Sequence, residues 1–280
     1  MKVKNFKDKL VFITGGSEGI GLALAKEFVR AQASVVIFAR SLPKLKRARN
    51  ILLKECSHVQ QQIMTFPLDV TKAKDVKRVL GHVVKKIGVP DIFINNVGRA
   101  LPNYFEKISF KQLAETMAIN FYSVWHCLSF MLPLLKKKGG NIVNVSSMAG
   151  YLGVFGYSDY TASKFAIIGL TEVLAAEYKN YNIRFSVLCP PDTNTKGFVI
   201  ENKHKPPETR AISQSAKCLD PQTVAKACLK GIKKGKFIIN PGLEAKVAFF
   251  LKRLWPSFLT GMFDRIIKKT QQKLKKGSLT

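Results

Sequence analysis

A chain of 280 residues suffices for one large domain or two small ones with a full buried core, so folding needs neither disulfides nor metals. Its 46% hydrophobic and 23% charged residues exclude a disordered chain, and five cysteines with no C-x-x-C pair exclude a disulfide framework and a Cys-rich zinc site, which suits a reducing compartment. Lys+Arg number 46 against 18 Asp+Glu, a formal net charge of +28 that draws nucleic acid, anionic membrane or a phosphorylated ligand, although 36 of the cations are lysines dispersed along the whole chain.

The start, Met1 to Lys9, is basic, but the apolar run after it, Leu10–Ile13, is too short for a signal-peptide core. No run approaches 18 apolar residues, so no transmembrane helix is expected. Leu10–Ile13 reads instead as a first strand. It runs into Thr14-Gly15-Gly16-Ser17-Glu18-Gly19-Ile20-Gly21 and then a helix over 19–32. Glycines there permit a tight turn and close backbone approach, and the helix N-terminus offers free N–H groups to a pyrophosphate. The spacing is G-x-x-x-G-x-G rather than G-x-G-x-x-G, and a plain strand–helix turn would also need glycine.

The second strand, Ser34–Ala39, ends in Arg40-Ser41. A dinucleotide site for NAD normally places an acid at that point, to hold the ribose 2′-OH. No acid occurs between Glu27 and Glu55, while Arg40, Lys44, Lys46, Arg47 and Arg49 crowd the region. Arginine grips a 2′-phosphate that an acid would repel, so NADPH is the expected cofactor, with Arg40 as its reader.

Further strands are expected over 62–67, 92–94, 141–145, 184–188 and 237–239, separated by helix-length stretches such as 71–86 and 110–138. Alternating β and α implies an α/β fold, a doubly wound parallel sheet of the Rossmann type, with ligands at the carboxyl ends of the strands. Asp69, after the third strand, reads either as an adenine contact or as a cap for the helix beginning near Thr71. Tyr160-x-x-x-Lys164 places a phenol and an ammonium one helical turn apart. With 7 tyrosines and this much lysine such a pair also arises by chance, but the fifth strand ends in Ser146-Ser147, and Asn95-Asn96-Val97-Gly98 and Asn120 lie upstream.

With these motifs in order, residues 8 to 240 resemble the short-chain dehydrogenase/reductase family. The matching positions are the loop Thr14–Gly21, Asn95–Gly98, Asn120, Ser147, Tyr160 and Lys164, with Val97 and Pro190-Pro191 as departures from the usual pattern. The resemblance implies a catalytic set of Asn120, Ser147, Tyr160 and Lys164. It assigns cofactor contacts to Thr14, Gly15, Gly16, Ser17, Gly19, Ile20, Gly21, Asp69, Val70, Asn96, Gly98, Tyr160, Lys164, Pro190, Thr193 and Thr195. Lys164 would hold the nicotinamide ribose and Asn120 a relay water. From the residue types, Lys164 and an oxidised nicotinamide are expected to lower the pKa of Tyr160, and Ser147 to hydrogen-bond a substrate carbonyl.

After the sixth strand, P-P-D-T-x-T-x-G-F (190–198), Glu201-Asn202-Lys203 and K-P-P-E-T-R (205–210) resemble a branch of the family that reduces a long-chain sphingoid ketone. A shared lid over a different ketone, or a 3-oxoacyl thioester reductase, remains an alternative, as does a non-enzymatic cofactor-sensing scaffold.

Residues 1–240 are read as the reductase domain and 241–280 as a basic amphipathic extension. From Gly242 onward nine cations face two acids, interleaved with Phe249, Phe250, Leu254, Trp255, Phe258 and Phe263. That pattern suits a helix lying in an anionic membrane interface, or one packed on protein. The expected location is therefore cytoplasmic, at the cytoplasmic face of a membrane, with no nucleic-acid partner. The family resemblance implies a homodimer or homotetramer through helices near 110–138 and 160–179.

Overall fold

A computed structural model describes residues 3–276, so Met1, Lys2 and the last four residues of the extension lie outside the described residues. Seven strands are present: β1 (Leu10–Thr14), β2 (Ser34–Ala39), β3 (Ile63–Pro67), β4 (Ile92–Asn95), β5 (Gly140–Val145), β6 (Ile183–Leu188) and β7 (Ile238–Ile239). All pair in parallel, in the order β3-β2-β1-β4-β5-β6-β7. Each expected strand is found to within a residue, because short Val/Ile/Phe runs buried on both faces mark a covered parallel sheet.

The helices are α1 (Gly19–Arg30), α2 (Leu42–Leu53), α3 (Ala73–Ile87), α4 (Phe110–Met117), α5 (Ser123–Lys138), α6 (Ser158–Glu177), α7 (Lys196–His204), α8 (Pro207–Gln214), α9 (Pro221–Lys234), α10 (Leu243–Leu254) and α11 (Pro256–Lys275). On one sheet face Leu24 and Phe28 of α1 pack with Leu45 of α2 and Val224 and Ile232 of α9. On the other, Leu80 of α3 packs with Leu128 and Met131 of α5 and Ile167 of α6. Strand order reverses between β1 and β4, and the crevice at their carboxyl ends is where a doubly wound sheet receives its ligand.

Two expectations change in detail. The stretch Phe110–Lys138 is continuous but contains a π-helical turn, Ala118–Tyr122, between α4 and α5. By length and composition this stretch is apolar enough to cross a membrane, with mean hydropathy 1.3 in its best window. Nearly half of that window is buried, and Leu128, Met131 and Leu135 belong to the core, so here it is a core helix. The C-terminal extension is two helices rather than one. Pro256 starts α11, and the chain breaks at Trp255 because proline cannot continue α10. Ala245 and Leu259 are buried, and the Phe249 ring meets Tyr151 edge-on at 5.0 Å. One side of the extension therefore packs on the body.

Candidate active site

The crevice is built by the glycine loop. Gly15, at φ +66°, turns the chain so that its N–H and that of Gly16 both donate to Phe38 O, at 2.7 and 3.2 Å. A β-carbon on Gly21 would stand 2.2 Å from Gly15 O and 2.5 Å from Asn96 Nδ2, so this position requires the bare backbone. Thr14 Oγ1 donates to Ile94 O and accepts from Asn96 N, which staples β1 to β4 below the loop. At the start of α1 the N-cap residue Glu18 makes no side-chain cap, so the first-turn N–H groups are left to the crevice. Those free donors fit a pyrophosphate.

The crevice holds a cavity of about 380 Å³, lined among others by Gly15, Ser17, Gly19, Ile20, Arg40, Asp69, Val70, Asn96, Gly98 and Thr195. Thr14, Gly16 and Gly21 shape the turn from behind. Pro190 and Thr193 lie outside this lining: the Thr193 hydroxyl turns inward to donate to Pro191 O, and Pro190 O accepts from Met148 N. Asp69 does not cap α3. It walls the cavity, and its Oδ1 accepts from Thr71 N and Oγ1, while Lys72 occupies the N-cap position of α3. One wall residue escapes the sequence reading. Glu18 brings an acid to the cavity, where Lys44 Nζ donates to it at 2.6 Å and Lys196 Nζ stands 3.8 Å away. With Glu18 paired in this way, Arg40 keeps its charge for a ligand.

The catalytic candidates converge at the floor. A β-carbon on Gly98 would stand 3.1 Å from Lys164 Nζ and 3.4 Å from Asn120 Oδ1, which places both beside the crevice. Lys164 Nζ donates to Val145 O at 3.0 Å and sits 5.6 Å from the centre of the Tyr160 ring. Asn120 is fully buried on the π turn. It donates to Arg99 O and Ser163 Oγ and accepts from Arg99 N, so its orientation is fixed by partners that no sequence motif announced. Ser147 follows β5, and its Oγ accepts from Ala149 N at 3.2 Å. Buried Asp159, which also takes bonds from Thr116 Oγ1 and Gln112 Nε2, accepts from Tyr160 N at 2.8 Å and anchors the start of α6.

The electrostatics depart from expectation. In the protein itself the Tyr160 phenol is pushed well above its ordinary pKa, first by burial and then by the Glu201 carboxylate, while the Ser147 hydroxyl pulls it back. Lys164 is not among the groups that set this shift, and burial pushes Lys164 itself down to about 8. A phenol so raised keeps its proton at neutral pH, which is the form a proton donor requires.

Comparison with known proteins agrees with this geometry. The family model for short chain dehydrogenases matches residues 9–205. A 3-ketodihydrosphingosine reductase of Bos taurus is 34% identical over 92% of this chain and 85% of its own length. One from Dictyostelium discoideum is 36% identical over 93% of this chain and 83% of its own. Among solved structures, levodione reductase superposes with a TM-score of 0.77 at 22% identity, over 86% of this chain and 99% of its own. A short chain dehydrogenase/reductase from Burkholderia phymatum, in complex with NAD, gives 0.78 at 21%, over 90% and 95%.

Proposed function

The chain belongs to the short-chain dehydrogenase family, an oxidoreductase that uses a nicotinamide cofactor, and on that premise we propose that it reduces 3-ketodihydrosphingosine with NADPH. The observation that carries the lipid part is a cavity of about 280 Å³ between the segment joining Ser147 to Tyr160 and the C-terminal extension, lined mainly by apolar residues, with Lys252, Thr260 and Asp264 also in its wall. Leu152, Gly153 and Phe155 of that segment face Leu259, Phe263 and Ile267 of α11 across it. A hydrocarbon chain is the natural occupant of such walls. The preference for NADPH is supported by Arg40 in the crevice wall and by the pairing of Glu18 with Lys44.

Bound in the crevice, the reduced cofactor supplies hydride to the ketone carbon. Ser147 donates a hydrogen bond to the carbonyl oxygen, where negative charge develops. Tyr160 gives its proton to that oxygen and so completes the alcohol. Lys164, with a pKa of about 8, carries a proton at neutral pH with which the phenol is restored. Asn120, locked by Arg99 and Ser163, keeps the wall beside Lys164 fixed.

The substrate is poorly soluble, and the outer side of the extension suits its collection from an anionic bilayer at the cytoplasmic face. Phe250, Leu254, Trp255 and Phe258 are exposed there among lysines and arginines. Exposed Phe110, Trp125 and Phe165 on α4, α5 and α6 suit a contact between copies of the chain. The test is NADPH oxidation with 3-ketodihydrosphingosine in vesicles beside a 3-oxoacyl thioester. Turnover of the sphingoid ketone supports the reading. A large preference for the thioester overturns it.

A further inference from the structure

The lid contains a charged group that the reaction so far leaves unused. Glu201 lies on α7, mostly buried, and its Oε1 accepts a short hydrogen bond from the Tyr157 hydroxyl. The Tyr157 ring lies 5.6 Å from the ring of Tyr160, so this carboxylate stands directly behind the proton donor. The second acid, Asp192, lies on the loop that follows β6. It takes a hydrogen bond from Ser213 Oγ and pairs with Lys205 Nζ at 3.3 Å.

Lys205 is the cation of this group, with its side chain 1% exposed. It is heavily engaged: Asp192, Ser213 Oγ at 2.7 Å and the face of the Phe198 ring at 4.2 Å surround its ammonium. Its approach to Glu201, at 3.5 Å, also falls on Oε1. Two carboxylates thus share one ammonium, in a chain whose net charge is +28. Both acids act on the phenol, since Glu201 and Asp192 each push Tyr160 upward. The lid side of the catalytic corner thus sets two carboxylates against the one ammonium of Lys205, with Lys164 by the Tyr160 ring, and burial raises the Glu201 carboxyl above its ordinary range.

We infer that Glu201 is a specificity-determining residue that receives a cationic amino group borne on the carbon next to the ketone. This rests on the proposed sphingoid substrate, an amino ketone, and deepens it. The catalytic phenol fixes the carbonyl oxygen, so a substituent on the adjacent carbon must point to one side of Tyr160, and Tyr157 and Glu201 form such a side. An ammonium there would add the second cation that the two acids lack. A neutral ketone of the same length would leave Glu201 buried with only part of its charge answered. A 3-oxoacyl thioester carries no cation on the carbon next to its ketone and would gain nothing from Glu201, so one feature would separate the amino ketone from the rival class.

The experiment compares wild type with Glu201→Gln on two substrates in identical vesicles: the 2-amino-3-keto long-chain base and the same ketone lacking the amine. Glutamine keeps the shape and a hydrogen-bond acceptor but not the charge. Wild type is expected to favour the amino ketone by kcat/KM, with the loss in E201Q about 30-fold for the amino ketone and only a few-fold for the other. Glu201→Asp should recover part of the preference. Equal losses on both substrates, or full retention of the preference in E201Q, would overturn the inference and leave Glu201 as a lid brace. Wild type reducing both ketones equally would do the same. Wild type reducing neither would instead remove the proposed function, so the two failures are distinct.

Discussion

Lys164→Met should make the protein more stable at neutral pH while abolishing its chemistry. Lys164 is fully enclosed, and burial moves its pKa from 10.5 to about 8, a displacement equivalent to ~3 kcal/mol. Between those two values the unfolded chain binds a proton that the folded chain does not, so stability rises with pH across this window. The destabilisation is complete below pH 8 and absent above 10.5. Folded Cys189 keeps its proton across that interval, since burial pushes its thiol to about 12, and its titration in the unfolded chain is common to wild type and variant. Methionine fills similar volume without charge and loses only the bond from Nζ to Val145 O, worth ~1 kcal/mol. The variant should be ~2 kcal/mol more stable than wild type at pH 7, about 4 °C in melting temperature for a chain of this size. Above pH 10.5 the order should invert, with the variant ~1 kcal/mol weaker. Urea unfolding of both nucleotide-free proteins from pH 6.5 to 10.5 reads this directly. A difference that does not change with pH, or a variant less stable at pH 7, would refute the burial argument.

Tyr160→Phe should lower kcat by ~10²–10⁴ while leaving cofactor affinity unchanged, since only the phenolic proton is lost; steady-state rates and a fluorescence titration of NADPH check the two halves. Arg40→Ala should raise the KM for NADPH at least ~10-fold through loss of a charge-assisted contact and leave that for NADH nearly unmoved. Equal effects on the two cofactors would remove Arg40 from the 2′-phosphate site. Replacing Phe250, Leu254, Trp255 and Phe258 together by serine should weaken binding to anionic vesicles by roughly a thousandfold, at ~1 kcal/mol for each half-inserted side chain, without changing the melting temperature. Sedimentation with vesicles measures it, and unchanged binding would assign that face to another partner.

The sheet was legible because its central strands are short β-branched or aromatic runs buried on both faces and punctuated by glycine, proline or polar turns, while β3 is buried only in part. The glycine loop was legible for a different reason. Gly15 needs a positive φ, and Gly21 has no room for a β-carbon, so local geometry dictates residue type. What sequence could not carry were long-range pairings between common residues. Glu18 reads as an exposed helix-start acid until Lys44, 26 positions away, is brought against it. Glu201 reads as one lid acid among several until Tyr157 folds over it from α6's entry. A Y-x-x-x-K spacing shows the nearby ammonium but not the depth of burial, and in the protein without cofactor burial dominates both Tyr160 and Lys164.

The C-terminal extension shows why packing on protein and lying on a membrane are not alternatives for one amphipathic segment. Its inner side belongs to the substrate lid. Tyr151 Oη donates to Ala245 O at 3.2 Å, Leu259 is buried beside Leu152, and Gln271 Nε2 donates to Glu208 on α8, whose other oxygen accepts from Tyr104 Oη. Truncating the extension would therefore remove Leu259 and uncover Tyr151 and Leu152, and a lost activity would say nothing about membranes. Its outer side carries the exposed aromatics, set around the Trp255–Pro256 break that aims α10 and α11 in different directions. Leu259 and Phe263 of α11 line the cavity, while Phe258 and Met262 of the same helix are exposed. In the proposed reading, residues that would gather the substrate from a bilayer and residues that would wall its chain lie on one helix, α11.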